Sequence, residues 1–103
     1  MPDLWEALAD PRRRRLIVAL SKRESANVTE LSERSTITRQ AISKHLETLR
    51  EAKLVKATRV GRELRYRLNP GPLNEAVEWV AAVGAEWDQR LDALDRHLKK
   101  RKR

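Results

Sequence analysis

From Leu73 to Leu98, the positions Leu73, Val77, Val80, Gly84, Trp87, Leu91, Leu94 and Leu98 follow one another at alternating steps of four and three. Such spacing puts all eight on one narrow stripe of a helix, the seam of a coiled coil. A helix of these 26 residues is about 39 Å long at a rise of 1.5 Å per residue. A chain of 103 residues builds one modest core, too short to cover a stripe of that length. Part of the seam therefore calls for a second copy, and a homodimer is expected. Trp79 and Trp87 add large aromatic area in a chain with three Trp, one Tyr and no Phe. The expected interface consists of Trp79, Val80, Trp87, Leu91 and Leu94, joined by Leu4, Trp5 and Leu8 from the chain's start.

The residues before this helix carry start and stop signals of shorter elements. Asp3 to Ala9 reads as one short amphipathic helix. Asp10-Pro11 supplies an N-cap and an N1 proline for a second helix, which turns Leu16, Ile17 and Leu20 inward and ends near Ser21. Asn27 and Glu30 stand at capping-box spacing, opening a third helix with Val28 and Leu31 inward. Thr38 caps a fourth, running to about Ala52, whose Ile42, Leu46 and Leu49 share one stripe. The apolar period then drops from 3.6 to 2. Over residues 54–68, Leu64, Tyr66 and Leu68 alternate with Arg65 and Arg67, and Val60-Gly61-Arg62 supplies a turn. That is a β-hairpin with one covered and one basic face. Asn69-Pro70-Gly71-Pro72 ends it.

Two short helices, a turn at Ser35-Thr36-Ile37 and a hairpin give the order of a winged helix-turn-helix. The fold class is mainly α with a β-hairpin: about five helices plus a two-stranded wing. Residues 1–98 form a single domain, terminal dimerisation helices included, and residues 99–103 form a frayed basic tail. A helix enters the major groove with one face packed and polar side chains on the other. Opposite the Ile42 stripe, Arg39, Gln40, Ser43 and Lys44 gather at the N-terminal end of the fourth helix. Arginine suits guanine O6 and N7, and glutamine suits adenine N6 and N7. On the hairpin, Lys56, Arg59, Arg62, Arg65 and Arg67 suit phosphates, though such charges also guard edge strands against aggregation. Arg59 and Arg62, nearest the turn, are the expected DNA contacts.

Leu8-Ala9-Asp10-Pro11 with its following arginines, residues 41–52 reading AISKHLETLREA, Leu54-Val55, and Gly61-Arg62 before Tyr66-Arg67-Leu68 together resemble the ArsR-type (ArsR/SmtB-like) repressors. The resemblance spans about residues 3–98 and is carried mainly by the Ser-Lys-His-Leu segment followed by Leu-Arg-Glu-Ala. It implies a dimer with the helix from Thr38 in the major groove and the hairpin as wing. His45, inside that segment, then either supports the helix or touches a phosphate. Three departures stand out. Lys53 occupies a position where glycine is usual; Arg39 and Gln40 stand where Gln and Pro are frequent; and the Cys-x-Cys motif of the metal-sensing members is missing.

The chain has no cysteine and two histidines, His45 and His97. No metal site and no cofactor are expected, because a zinc site needs several convergent donors. His97, with Asp92 and Asp95 nearby in sequence, reads as a surface residue. No catalytic grouping or phosphate loop is visible, so no enzyme is expected. Lys and Arg outnumber Asp and Glu by 23 to 15, a formal net charge of +8, which attracts polyanions. No apolar run approaches the roughly 20 residues of a membrane span. The opening Met1-Pro2-Asp3-Leu4-Trp5 lacks a basic leader, so a cytoplasmic location is expected. The expected partner is double-stranded DNA, bound as an inverted-repeat operator by a transcriptional repressor whose effector the sequence does not reveal. A non-specific or RNA-binding basic module, and a winged-helix protein-interaction module, are the other readings.

Overall fold

Asp10 takes an extended conformation and its carboxylate accepts from the Arg12 amide at 2.8 Å, so the helix begins at Pro11, whose missing N–H needs no partner there. The same local chemistry starts each early helix in the computed structural model, which describes residues 3–33 and 35–101. Asp3 caps α1 (Leu4–Leu8), Asp10 caps α2 (Pro11–Ser21), and Asn27 with Glu30 closes a reciprocal capping box on α3 (Val28–Ser32). Thr38 Oγ1 accepts from the Ala41 amide to open α4 (Arg39–Glu51). β1 (Val55–Val60) and β2 (Glu63–Leu68) pair antiparallel from Val55 opposite Leu68 to Val60 opposite Glu63. α5 (Gly71–Arg101) follows. Among the described residues this makes five helices and one two-stranded hairpin, the expected architecture.

Gly61 and Arg62 form the two-residue hairpin loop, and Gly61 has φ +63°, open to glycine without a Cβ clash. Lys53 is the one described residue other than glycine with positive φ, at 65°. It stands just past α4, where the Leu54 amide donates to the Leu49 carbonyl and the Lys53 amide to the Arg50 carbonyl, both at 2.9 Å. That pair of bonds is a Schellman cap, whose C′ residue must turn left-handed. Asn69 braces the turn from the far end of the hairpin. Its side-chain amide donates to the Lys53 carbonyl and its backbone amide to the Leu54 carbonyl, each at 2.8 Å. Lys53→Gly is therefore expected to stabilise the fold by about 1 kcal/mol, read as a higher denaturation midpoint at constant m. An unchanged midpoint would show that the strain is relieved elsewhere.

The chain divides into two compact units, Met1–Leu73 and Asn74–Arg103. In the first, Leu16, Ile17 and Leu20 of α2, Leu31 of α3, Ile42, Leu46 and Leu49 of α4, and Leu54, Val55 and Tyr66 of the hairpin close one apolar core. Removing each of the large side chains from water is worth about 1.5–3 kcal/mol. α1 contributes Ala7, fully buried, which the amphipathic reading of Leu4, Trp5 and Leu8 passed over. Leu4 and Leu8 pack partly against this core, while Trp5 is half-exposed. The expected covered face of the hairpin is shorter than its alternation implies. Tyr66 is buried, but Leu64 is 38% exposed, because the neighbouring chain covers the hairpin through the Ala26–Tyr66 bridge and not near the turn.

The second unit is the remainder of α5. Its stripe residues Val77, Val80, Trp87, Leu91, Leu94 and Leu98 are all largely exposed, as are Trp79 and Val83 beside them. The helix passes Leu98 without a break and runs to Arg101, so the start of the expected frayed tail is helical. Lys99 pairs with Asp95 one turn back, at 3.0 Å. Lys102 and Arg103, the rest of that tail, lie outside the described residues, as do Met1 and Pro2. No described helix is long and apolar enough to cross a membrane.

Candidate nucleic-acid interface

α4 is two-faced by construction. Ile42, Leu46 and Leu49 are fully buried, and Thr38 fixes where the helix starts. Arg39, Gln40, Ser43 and Lys44 all come out exposed on the opposite side, in the first two turns. Among the described residues, none of these four side chains has a hydrogen-bond or ion-pair partner that would hold it back from a groove. Glu47 follows one turn later on the same side, an acid where a polyanion would lie. Arg50 grips it in a forked ion pair, which lowers the Glu47 pKa below the usual carboxylate range. The two charges offset each other.

His45 lies apart from that group. It is half-buried, and its Nδ1 sits 3.5 Å from Arg13 Nη1 of α2. A guanidinium has only donors, so Nδ1 must be the acceptor and the proton belongs on Nε2. Burial pushes the imidazole pKa down, Asp10 opposes the shift, and Arg12 and Arg13 reinforce it. Of the two roles open to His45 in the sequence, this geometry serves the supporting one. Arg13 itself was not singled out from the sequence. Its Nε donates to the Ala7 carbonyl at 2.7 Å and its Nη2 to the Glu6 carbonyl at 3.1 Å, so it ties the end of α1 to α4. Arg14 likewise donates to the Leu8 and Ala9 carbonyls, at 2.7 and 3.2 Å. The run of four arginines from Arg12 to Arg15 was the available signal: basic side chains just after a helix end can satisfy its open carbonyls.

On the hairpin, Arg62 in the loop and Arg59 near it are exposed, and so are Lys56 and Arg67 toward the open end. Arg65 is different. Its guanidinium meets Ser25, Glu30 and Glu63, which removes it from the basic face expected of the alternation. Of the residues assigned to the dimer interface, Val80, Trp87, Leu91 and Leu94 share the exposed stripe of α5, and Trp79 lies beside it on the same helix. His97 is exposed, and among the described residues no group of three or more His, Cys, Asp or Glu is placed to hold a metal ion.

Residues 10–57, from the α2 cap through the first half of β1, match the family model described as "Bacterial regulatory protein, arsR family". SdpR of Bacillus subtilis, a transcriptional repressor, is 30% identical over 80 residues, covering 78% of this chain and 88% of that protein. The chain belongs to the ArsR family of bacterial regulatory proteins. Another relative, the SmtB homolog of Synechocystis, is 41% identical over 68 residues, 66% of this chain. The match spans about half (51%) of that relative's length. Among solved structures, an ArsR-like transcriptional regulator from Rhodococcus sp. RHA1 superposes with a TM-score of 0.79 at 36% identity, covering 90% of this chain and 87% of that one. The matched region contains α2, α3 and α4, the helices that carry and orient the exposed polar face. ArsR-family proteins are transcription regulators, and the fold of this chain is the winged helix-turn-helix of that family.

Proposed function

We propose that the protein is a sequence-specific, double-stranded-DNA-binding repressor that acts as a homodimer on an inverted-repeat operator. The observation that carries this reading is the division of α4: three fully buried leucine and isoleucine side chains on one side, and Arg39, Gln40, Ser43 and Lys44 exposed on the other. In this role α4 lies in the major groove, with Arg39 and Gln40 reading base edges and Ser43 and Lys44 reaching edges or phosphates. Arg59 and Arg62 at the wing loop neutralise adjacent phosphates. Dimerisation follows from the exposed seam of α5, since isolated helices leave such a stripe in water at a penalty that pairing removes. Repression by occupying the operator is supported by the similarity to the SmtB homolog and SdpR, both transcriptional repressors. Two reading heads on a two-fold axis require half-sites centred about 34–36 Å apart, or a multiple of that.

Arg39→Ala or Gln40→Ala is expected to lower affinity for the preferred duplex by about 1–3 kcal/mol and to relax base choice at particular positions. Competition between a duplex selected from a random pool and its scrambled version measures both. Equal weakening on the two duplexes would assign these side chains to phosphates and remove the base-reading role of this face.

A further inference from the structure

Arg65 is half-buried, and its guanidinium makes four polar contacts with three residues of the first unit. Its Nε donates to Ser25 Oγ at 2.8 Å and its Nη2 to the Ser25 carbonyl at 3.2 Å. Its Nη1 lies 2.9 Å from Glu30 Oε1 and 3.1 Å from Glu63 Oε2. These partners come from three places: the connection after α2, the first turn of α3, and the first residue of β2 after the hairpin loop. Glu30 is at the same time the capping-box residue, accepting from the Asn27 amide at 3.0 Å, and Arg23 holds its other oxygen at 2.6 Å. Glu63 is held from the other side as well, by Asn27 Nδ2 at 2.9 Å. Below this cluster, Ala26 and Tyr66 exchange two backbone hydrogen bonds of 2.8 and 2.9 Å.

We propose that Arg65 is a positioning residue for the wing: its fork clamps the loop end of the hairpin to the N-terminus of α3, fixing Arg62 and Arg59 in register with α4. A two-stranded hairpin alone is a marginal structure in water, and its loop end is the part least covered by the core. The clamp spans that end, because Glu63 directly follows Arg62. Together with Arg23 it also balances the charge of two carboxylates, Glu30 and Glu63, that would otherwise lie beside the phosphates the wing is proposed to meet. A planar guanidinium can bind a backbone carbonyl, a hydroxyl and two carboxylates at once; a lysine ammonium lacks that fixed geometry. The clamp presupposes the DNA-binding reading above only for its consequence, since the contacts themselves lie within the chain.

The test combines Arg62→Ala and Arg65→Ala, singly and together, in the full chain. Binding is titrated against salt on a duplex that the wild-type protein recovers from a random pool. Arg62→Ala is expected to weaken binding about fivefold and to make the salt slope shallower by about one unit. Arg65→Ala should give a loss and a flattening of the same order, although its side chain faces Ser25. The double variant should bind within about twofold of Arg65→Ala alone, because a mispositioned wing has nothing further to lose. Effects that multiply in full, with the Arg65→Ala slope unchanged, overturn the proposal. Arg65→Lys preserves the charge and covers the case where Arg65→Ala does not fold. It should still show the flattened slope, and full recovery by lysine would overturn the fork. An unchanged slope in Arg62→Ala alone would refute the wing's phosphate contact and leave the clamp to be judged by amide exchange. Loss of protection over Glu63–Leu68 with α4 still protected then supports the clamp, and unchanged protection there overturns it.

Discussion

Leu91→Glu is expected to turn the proposed dimer into a monomer and to weaken binding to the inverted-repeat duplex by about 10²–10⁴-fold, with every proposed DNA-facing side chain intact. Leu91 is the sixth of the eight seam positions and 46% exposed in the single chain, so a carboxylate there is tolerated in the monomer. In the dimer it would be buried without a partner, at a penalty of several kcal/mol. The two outcomes separate cleanly in sedimentation: monomer at concentrations where the wild type is dimeric. Affinity for a duplex carrying one half-site should stay near the wild-type value, since each reading head is unchanged. The large loss on the full duplex comes from making the second contact bimolecular. A Leu91→Glu protein that sediments as a dimer and binds normally would place the interface elsewhere.

Leu46→Ala acts on the other side of the same machinery. Leu46 is fully buried among the α2, α4 and hairpin core side chains, and truncating it leaves a cavity under α4. The expected loss is about 2–5 kcal/mol, a large share of the roughly 5–15 kcal/mol that holds a domain of this size folded. Urea denaturation should show a lower midpoint with m unchanged. At low temperature, where the variant is still folded, DNA affinity should change little, because Arg39, Gln40, Ser43 and Lys44 stand on the opposite side. A loss below about 1 kcal/mol would mean that the site collapses to fill the gap, and that the α4 stripe is not the anchor described.

The sequence made legible whatever depends on neighbours within one or two helical turns. The Asp10-Pro11 start, the Asn27–Glu30 box, the Thr38 cap and the Ile42-Leu46-Leu49 stripe all depend on spacings of three or four, and each is found where expected. The hairpin turn expected over Val60-Gly61-Arg62 is found at Gly61 and Arg62, with Val60 paired at the end of β1. What sequence reading missed depends on pairs far apart in the chain. Arg65 meets Ser25 across 40 residues, and Arg13 meets His45 across 32; no local pattern names either distant partner. Asn69 was legible as a turn residue, but its bond to Lys53 required the hairpin to fold back first. Ala7 is small enough that its full burial leaves no mark on the amphipathic pattern.

The exposed stripe of α5 also bears on dosage. A protein that reads its operator only as a pair is governed by mass action twice, once for pairing and once for binding. While protomers are scarce compared with the pairing constant, the number of dimers grows as the square of the protomer number. Doubling synthesis then quadruples the species that reaches the operator, and halving it removes three quarters. Occupancy responds more steeply than expression itself, which makes the abundance of the chain an input without any small molecule. In the proposed dimer the steepness is set by the side chains of Val80, Trp87, Leu91 and Leu94, far along the sequence from the proposed DNA contacts.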